Sequence, residues 1–381
     1  CLCRLSPSLL HLIATAEQSI NNGRQNLQRR RNRLWHVRQS LPHPLILTTP
    51  SFALHSIVQR TPKPTDDASK DHPSAKIYHS AQELIADPSL DIIVITTTPD
   101  THFAFTKAAL EAGKHVIVEK PFVPTSAAAQ QLVDISSKTG RLICVYQNRR
   151  WDSDFLTVKK ILEDGTIGRC VEFETHFDRY KAVRPETWKG TLGMEQAGGA
   201  IYDLGTHLID QVYTLFGMPE SVNAVFANQR GDGGEEPDSF TVMLKYGSGG
   251  PLVTAKAGVM SVETQQLRYW VRGTKGSFKK YHLDVQEDQL KAGLKPGDKG
   301  FGVESDDRSG SLVVMDGDKP KGSVFKNIEP LTYGALYSEF AKAIEGGGEA
   351  AVPVKASQAR DVLKIIEAAK ESAKSEKTVK L

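Results

Sequence analysis

Hydrophobic and polar positions change rhythm twice along this chain. Residues 1–42 hold no sustained period. They carry the stretch NLQRRRNRLWHVRQ and read as an atypical N-terminal segment, a disordered basic arm. A strong pattern begins at residue 52. FALHSIVQR (52–60) reads as a buried strand ending at Gln59 and Arg60, and TPKPTDDASKDHPSA (61–75) as a polar turn. IYHSAQELIAD (77–87) reads as a short strand and then a helix beginning near Ser80. DIIVITTTP (91–99) is a continuous β-branched run, as expected of a parallel strand covered on both faces. DTHFAFTKAALEAG (100–113) has helical spacing and stops at Gly113. HVIVEKP (115–121) follows as a strand, TSAAAQQLVDISSKTG (125–140) as a helix ending at Gly140, and RLICVYQNR (141–149) as a strand.

Strands and helices that alternate through short links build a parallel sheet. Residues 43–150 are therefore expected to form a doubly wound α/β domain of Rossmann type, suited to a dinucleotide. The rhythm then changes again. Helical spacing at 155–165 and 198–217 is mixed with alternating strands at 170–180, 221–230, 239–247, 252–260 and 267–281. Residues 151–381 read as an α+β domain with an open, mainly antiparallel sheet, serving substrate and oligomerisation. Two C-terminal helices follow, read as packing back on the first domain.

Bulk properties narrow the function. A chain of 381 residues suits two domains. Its 48 basic and 45 acidic residues leave a net charge of +3, which argues against nucleic acid and anionic membrane as partners. Cys1, Cys3, Cys144 and Cys170 lack zinc-ligand spacing, so no metal is expected, and few cysteines suit a reducing, cytoplasmic setting. No apolar run of about 18 residues predicts a membrane span. LSPSLLHLIA (5–14) is interrupted by Pro7 and His11 and does not read as a targeting segment.

Two clusters carry chemistry. ITTTPDTH (95–102) and GKHVIVEKP (113–121) end predicted parallel strands, the edge where open α/β sheets bind ligands. This edge nominates Thr97, Thr98, Pro99, Asp100, His102, Glu119 and Lys120 for the cofactor. Pro121 after Lys120 suggests a cis peptide bond. A solvated lysine at a loop start is the plainer account of Lys120. In GGAIYDLGTHLIDQ (198–211), Asp203 and His207 are four apart on a helix and share a face. Imidazole exchanges protons near neutral pH, and a carboxylate one turn away orients it. The plainer account is a surface pair.

Together, GKHVIVEKP and GGAIYDLGTHLID closely resemble the glucose–fructose oxidoreductase/inositol dehydrogenase (Gfo/Idh/MocA) family over residues 43–381. The resemblance implies an NAD(P)-dependent dehydrogenase acting on CH–OH groups of a sugar or inositol-like polyol. It implies that Lys120 contacts nicotinamide and substrate, that His207 is the general acid/base and that Asp203 holds the substrate beside Tyr202. YQNRRWDSDF (146–155), LFGMPESV and GSFKKYHLDVQEDQLKAGLKP are similar to NADP-dependent scyllo-inositol dehydrogenases. On that likeness Asn148, Arg149, Arg150 and Trp151 line the cleft, the first two toward the cofactor and the last two toward substrate. Arg60 stands where an acid would hold a ribose 2′-hydroxyl, and arginine suits a 2′-phosphate, so NADP is expected over NAD. The family commonly forms dimers or tetramers, so a homodimer or homotetramer is expected.

The pattern breaks at the start. No GxGxxG precedes residue 52, so the first strand and its phosphate-cradling glycine loop read as missing. Residues 22–44 fit a coding frame displaced by one nucleotide. Permitted codons then spell Met-Ala-Asp-Lys-Thr-Phe-Asn-Val-Ala-Val-Ile-Gly-Tyr-Gly-Met-Ser. A pseudoenzyme with a replaced N-terminus is the competing account. Two further readings stay open: a non-catalytic sugar or nucleotide sensor of the same fold, and a dihydrodiol- or biliverdin-type reductase.

Overall fold

The computed structural model describes residues 10–15, 42–63 and 67–381. Six parallel strands form the first sheet: β1 (Leu10–Thr15), β2 (Phe52–Val58), β3 (Lys76–Tyr78), β4 (Ile92–Ile95), β5 (His115–Glu119) and β6 (Ile143–Tyr146). Their order is β3-β2-β1-β4-β5-β6, the doubly wound order that opens a crevice between β1 and β4. All four residues of β4 and of β6 are buried, because helices cover both faces.

Local chemistry sets the helix ends. Ser80 accepts from the Glu83 amide while the Glu83 carboxylate accepts from the Ser80 amide, a capping box that starts the helix Ala81–Ile85. Pro99 opens the helix Pro99–Glu111, where its missing N–H costs nothing. Thr125 caps Ser126–Thr139, and Gly140 ends it in the left-handed conformation.

The expectation of a missing first strand is corrected. The segment LHLIAT pairs in parallel with β2 along its length and meets β4 at Ala14 and Val94, so β1 fills that slot. The frame-shift reading of residues 22–44 falls mostly outside the described residues.

The second sheet has nine strands: β7 (Cys170–His176), β8 (Ser221–Ala227), β9 (Ser239–Lys245), β10 (Leu252–Ala257), β11 (Leu267–Gly273), β12 (Gly276–Tyr281), β13 (Gly310–Asp316), β14 (Lys319–Phe325) and β15 (Val379–Lys380). Their order is β14-β13-β12-β11-β7-β10-β9-β8-β15, antiparallel except for β7 beside β10. Burial alternates along these strands. Phe240, Val242 and Leu244 of β9 are buried while Met243 and Lys245 are exposed, so one face meets the core and the other is open. The run 267–281 divides at Thr274 and Lys275 into the hairpin β11–β12.

The helix Ala356–Ser375 ties the sheets together. Glu367 accepts from the Ser126 amide and hydroxyl, Arg360 donates to Gln130, and Ser372 accepts from the β8 amide of Ala224. Just before this helix, Val354 accepts from the Val145 amide beside β6. No helix among the described residues is long and apolar enough to cross a membrane.

Candidate active site

The carboxyl ends of three strands of the first sheet face the second domain across a cleft of about 230 Å³. Thr96, Thr97 and Pro99 follow β4, Glu119 ends β5 with Lys120 just after it, and Asn148 and Arg149 follow β6. The opposite wall holds Phe177, Arg179, Trp188, Lys189, Asp203, Leu204, His207 and Glu287. The Lys120–Pro121 peptide bond is cis.

Asp203 is the hub. Lys120 donates to its Oδ1 at 3.0 Å and to its backbone carbonyl at 2.9 Å. Lys189 donates to the same Oδ1 at 3.0 Å, and Arg179 to Oδ2 at 3.3 Å. Asp203 lies in a π-helical turn, Ile201–Gly205, which runs into the α-helix Thr206–Phe216 bearing His207. Such wide turns often mark functional sites. The chain reaches this turn through Gly198 and Gly199. A Cβ on Gly198 would lie 1.9 Å from the Leu192 carbonyl, and Gly199 has φ +79°. The His207 ring stacks on Phe177 at 6.4 Å and 25°, while its Nδ1 is buried with no hydrogen-bond partner.

Charge follows from this crowding. Burial works to raise Asp203, but Lys120, Lys189 and Arg179 overcome it and hold the carboxyl well below its ordinary range. Burial lowers Lys120, and Asp203 opposes that shift. Burial, then the charges of Lys120 and Arg149, push His207 well below its ordinary value, so its ring is neutral. Glu119 is pushed up to about 7 by burial, against the pull of Lys120.

A family model described as an oxidoreductase family NAD-binding Rossmann fold matches residues 37–147, and its C-terminal alpha/beta domain matches residues 159–381. The chain belongs to the Gfo/Idh/MocA oxidoreductase family. It is 36% identical over 317 residues to the scyllo-inositol 2-dehydrogenase (NADP(+)) IolW of Bacillus subtilis, covering 83% of this chain and 86% of that one. It is 39% identical to the uncharacterized oxidoreductase YdgJ of Escherichia coli, covering 88% and 93%. The solved structure of the Bacillus subtilis oxidoreductase yvaA superposes with a TM-score of 0.87 at 31% identity, covering 99% and 100%.

For this Gfo/Idh/MocA chain the residues nominated from sequence divide into two groups. Thr97, Pro99, Glu119, Lys120, Asn148, Arg149, Asp203 and His207 line one cleft. Arg60 stands exposed after β2, outside it. Thr98 precedes the helix Pro99–Glu111 and accepts from the Thr101 hydroxyl through its carbonyl, and Asp100 is exposed in that helix's first turn. Neither lines the cleft.

Four nominations are corrected. His102 is fully buried. Its Nδ1 lies 2.9 Å from the Pro121 carbonyl and its Nε2 3.0 Å from that of Thr97, so the ring braces two cleft loops from behind. Arg150 forks onto Asp210 at 2.7 and 2.8 Å and donates to Gln358, turned away from the cleft. Trp151 is buried, and its carbonyl accepts from Gln286. Tyr202 points the other way from Asp203 and donates to the Pro124 carbonyl at 2.9 Å.

Sequence reasoning missed Phe177, Arg179, Trp188, Lys189 and Glu287. Phe177 and Arg179 lie in the run 170–180 read as a strand but just past the end of β7, and Trp188 and Lys189 lie in the aperiodic segment beyond it. Their trace in the sequence is a concentration of basic and aromatic residues in FDRYKAVRPETWKG (177–190).

The strand ends of the first domain fit the nicotinamide end of an NAD(P) molecule. They offer hydroxyls, an amide and a lysine at the sheet edge where dinucleotides lie. His207 lines the same cleft as Lys120, and its buried Nδ1 has no hydrogen-bond partner within the protein.

Proposed function

We propose that this chain catalyses reversible hydride transfer between NADP and a secondary hydroxyl of a sugar or inositol-like polyol. The observation that carries this is one buried imidazole with an unpartnered nitrogen beside a lysine–aspartate pair, at the carboxyl edge of a dinucleotide-binding sheet. When bound, the nicotinamide supplies the hydride acceptor or donor.

The chain's own residues do the rest. His207, neutral in the cleft, accepts the hydroxyl proton as the alcohol is oxidised and returns it in the reverse direction. Lys120 stabilises the oxygen as negative charge develops, by charge and hydrogen bonding in a site shielded from water. Asp203 holds Lys120 in place and accepts from a neighbouring substrate hydroxyl. Phe177 fixes the imidazole plane by stacking. Arg149, bound to Asp152 and Glu287, holds the floor and lies 4.9 Å over the Phe177 ring.

NADP over NAD rests on exposed Arg60 at the end of β2 and on the NADP-linked relative. Val225, Met243 and Leu252 are exposed on the open face of the nine-stranded sheet, where the same reading pairs a second copy. The test is nicotinamide absorbance with NADP⁺ or NAD⁺ and a panel of inositols, aldoses and aromatic diols. Turnover of a polyol with NADP⁺ preferred is expected. Turnover confined to aromatic diols, or cofactor binding with no turnover, would overturn the reading.

A further inference from the structure

A second recess, of about 760 Å³, adjoins the cleft and shares Arg179, Lys189, Asp203 and Leu204 with it. The cleft alone is smaller than most ligand sites, which run from about 300 to 1,000 Å³, whereas the joined space is ample. The cations around the recess are not equivalent. Arg184 is paired with Asp232, and Arg230 with Asp238. Arg179, Lys189 and Lys120 all claim the one carboxylate of Asp203. Lys181 lines the recess, and its ammonium has no hydrogen-bond or ion-pair partner among the described residues.

Lys181 is nevertheless held in place. Its amide donates to the Val259 carbonyl at 2.8 Å, and its own carbonyl accepts from Arg230 Nε at 2.9 Å. Two residues earlier, the Arg179 amide donates to Gly258 at 3.0 Å. The run 179–181 is thus stitched to the end of β10 and sets Lys181 and Arg179 on one wall. Lys181 is exposed to solvent at the recess, and desolvation by the wall, then the charges of Arg179 and Lys189, push its ammonium below its ordinary value against the pull of Asp203. Like charges gathered this closely repel, and an anion among them relieves the repulsion. Glu186, also on the recess wall, is exposed to solvent.

We propose that the substrate carries an oxyanion, a carboxylate or a phosphate, which docks on Lys181 with Arg179 and Lys189 while its reacting hydroxyl lies at Lys120 and His207. This rests on the hydride-transfer reading and names its substrate class as acidic polyols: sugar acids or sugar phosphates. Charge-assisted hydrogen bonds to the oxyanion supply the selectivity over neutral polyols.

The experiment is calorimetric binding to the whole chain of a neutral hexose, a hexuronate, a hexose phosphate and inorganic phosphate. Lys181→Gln and Lys181→Arg are run beside the parent. At least one acidic sugar is expected to bind about tenfold more tightly than the neutral hexose. Preference for the hexuronate assigns a carboxylate, and preference for the hexose phosphate assigns a phosphate. Lys181→Gln should lower the acidic-to-neutral ratio about tenfold, and Lys181→Arg should restore most of it. Equal binding of neutral and acidic sugars, or a ratio indifferent to Lys181→Gln, overturns the inference. Tight binding of inorganic phosphate alone also overturns it. Turnover is followed separately. Turnover without anion preference defeats the inference alone, whereas Lys181-dependent binding of acidic sugars without turnover of any polyol defeats the hydride-transfer reading and leaves the anion site standing.

Discussion

Two clusters of charge lie close together in this molecule and are built to opposite rules. Behind the cleft, Arg268 pairs with Asp154 at 2.9 Å and spends its other nitrogens on Thr175, the His176 carbonyl and Gln211. Arg150 forks onto Asp210 and reaches Gln358 and Pro353 near the C-terminal helix. Each of these cations has its own carboxylate. In the cleft, Lys120, Lys189 and Arg179 share the single carboxylate of Asp203, and His207 keeps an unpartnered nitrogen. Charges paired one to one lock a scaffold. Crowded cations and an unpaired imidazole are left for a ligand to complete. The adjacent residues Arg149 and Arg150 show the division, one on the cleft wall and one in the lock.

The largest expected effect breaks the lock. Arg268→Met strands Asp154 in the interior and should cost about 3–5 kcal/mol of stability, read by denaturant unfolding. A loss under about 1 kcal/mol would mean the scaffold cluster is not the load it is taken for. A smaller effect probes the cleft side through pH. Glu119 sits near 7 when folded, raised by burial from an ordinary 4.5. The folded chain therefore binds this proton more tightly than the unfolded chain. The contribution of Glu119 to stability is full below its unfolded value and is lost as pH rises through about 7. Glu119→Gln, which does not titrate, should gain melting temperature relative to the parent between about pH 5 and pH 8. A flat difference across that window would place Glu119 in contact with water. The smallest effect separates Tyr202 from its neighbour Asp203. Tyr202→Phe loses one bond to Pro124, about 0.5–1.5 kcal/mol of stability, and should leave KM within about twofold of the parent. A large rise in KM would return Tyr202 to the substrate site.

How much of this was legible in the sequence follows from which forces act locally. The strands β4, β5 and β6 were readable because covered parallel strands must be apolar on both sides, and the helices between them end at Gly113 and Gly140. The strand β1 was not, since LHLIAT is a short apolar run in an aperiodic segment and becomes a strand only by pairing with β2 and β4. The hairpin β13–β14 carries a signal not used above, the Gly317–Asp318 turn between the paired residues Asp316 and Lys319. Lys120, Asp203 and His207 were legible as motif residues at a sheet edge and on a helix. His102 misled because position at a sheet edge does not fix side-chain direction. Its ring turns inward to two carbonyls. Arg179 and Lys189 reach Asp203 from the chain beyond β7, ten residues apart, so their convergence is a tertiary fact.

Hydride transfer at the cleft cluster is tested by the steady-state turnover of Lys120→Ala with NADP⁺ and the best polyol, with folding checked by circular dichroism. Asp203 keeps Lys189 and Arg179 in this variant, so the fold should hold. A fall in kcat of about 10²–10³-fold is expected, the cost of removing one donor to a developing oxyanion. Turnover equal to the parent's in a folded Lys120→Ala protein would contradict it.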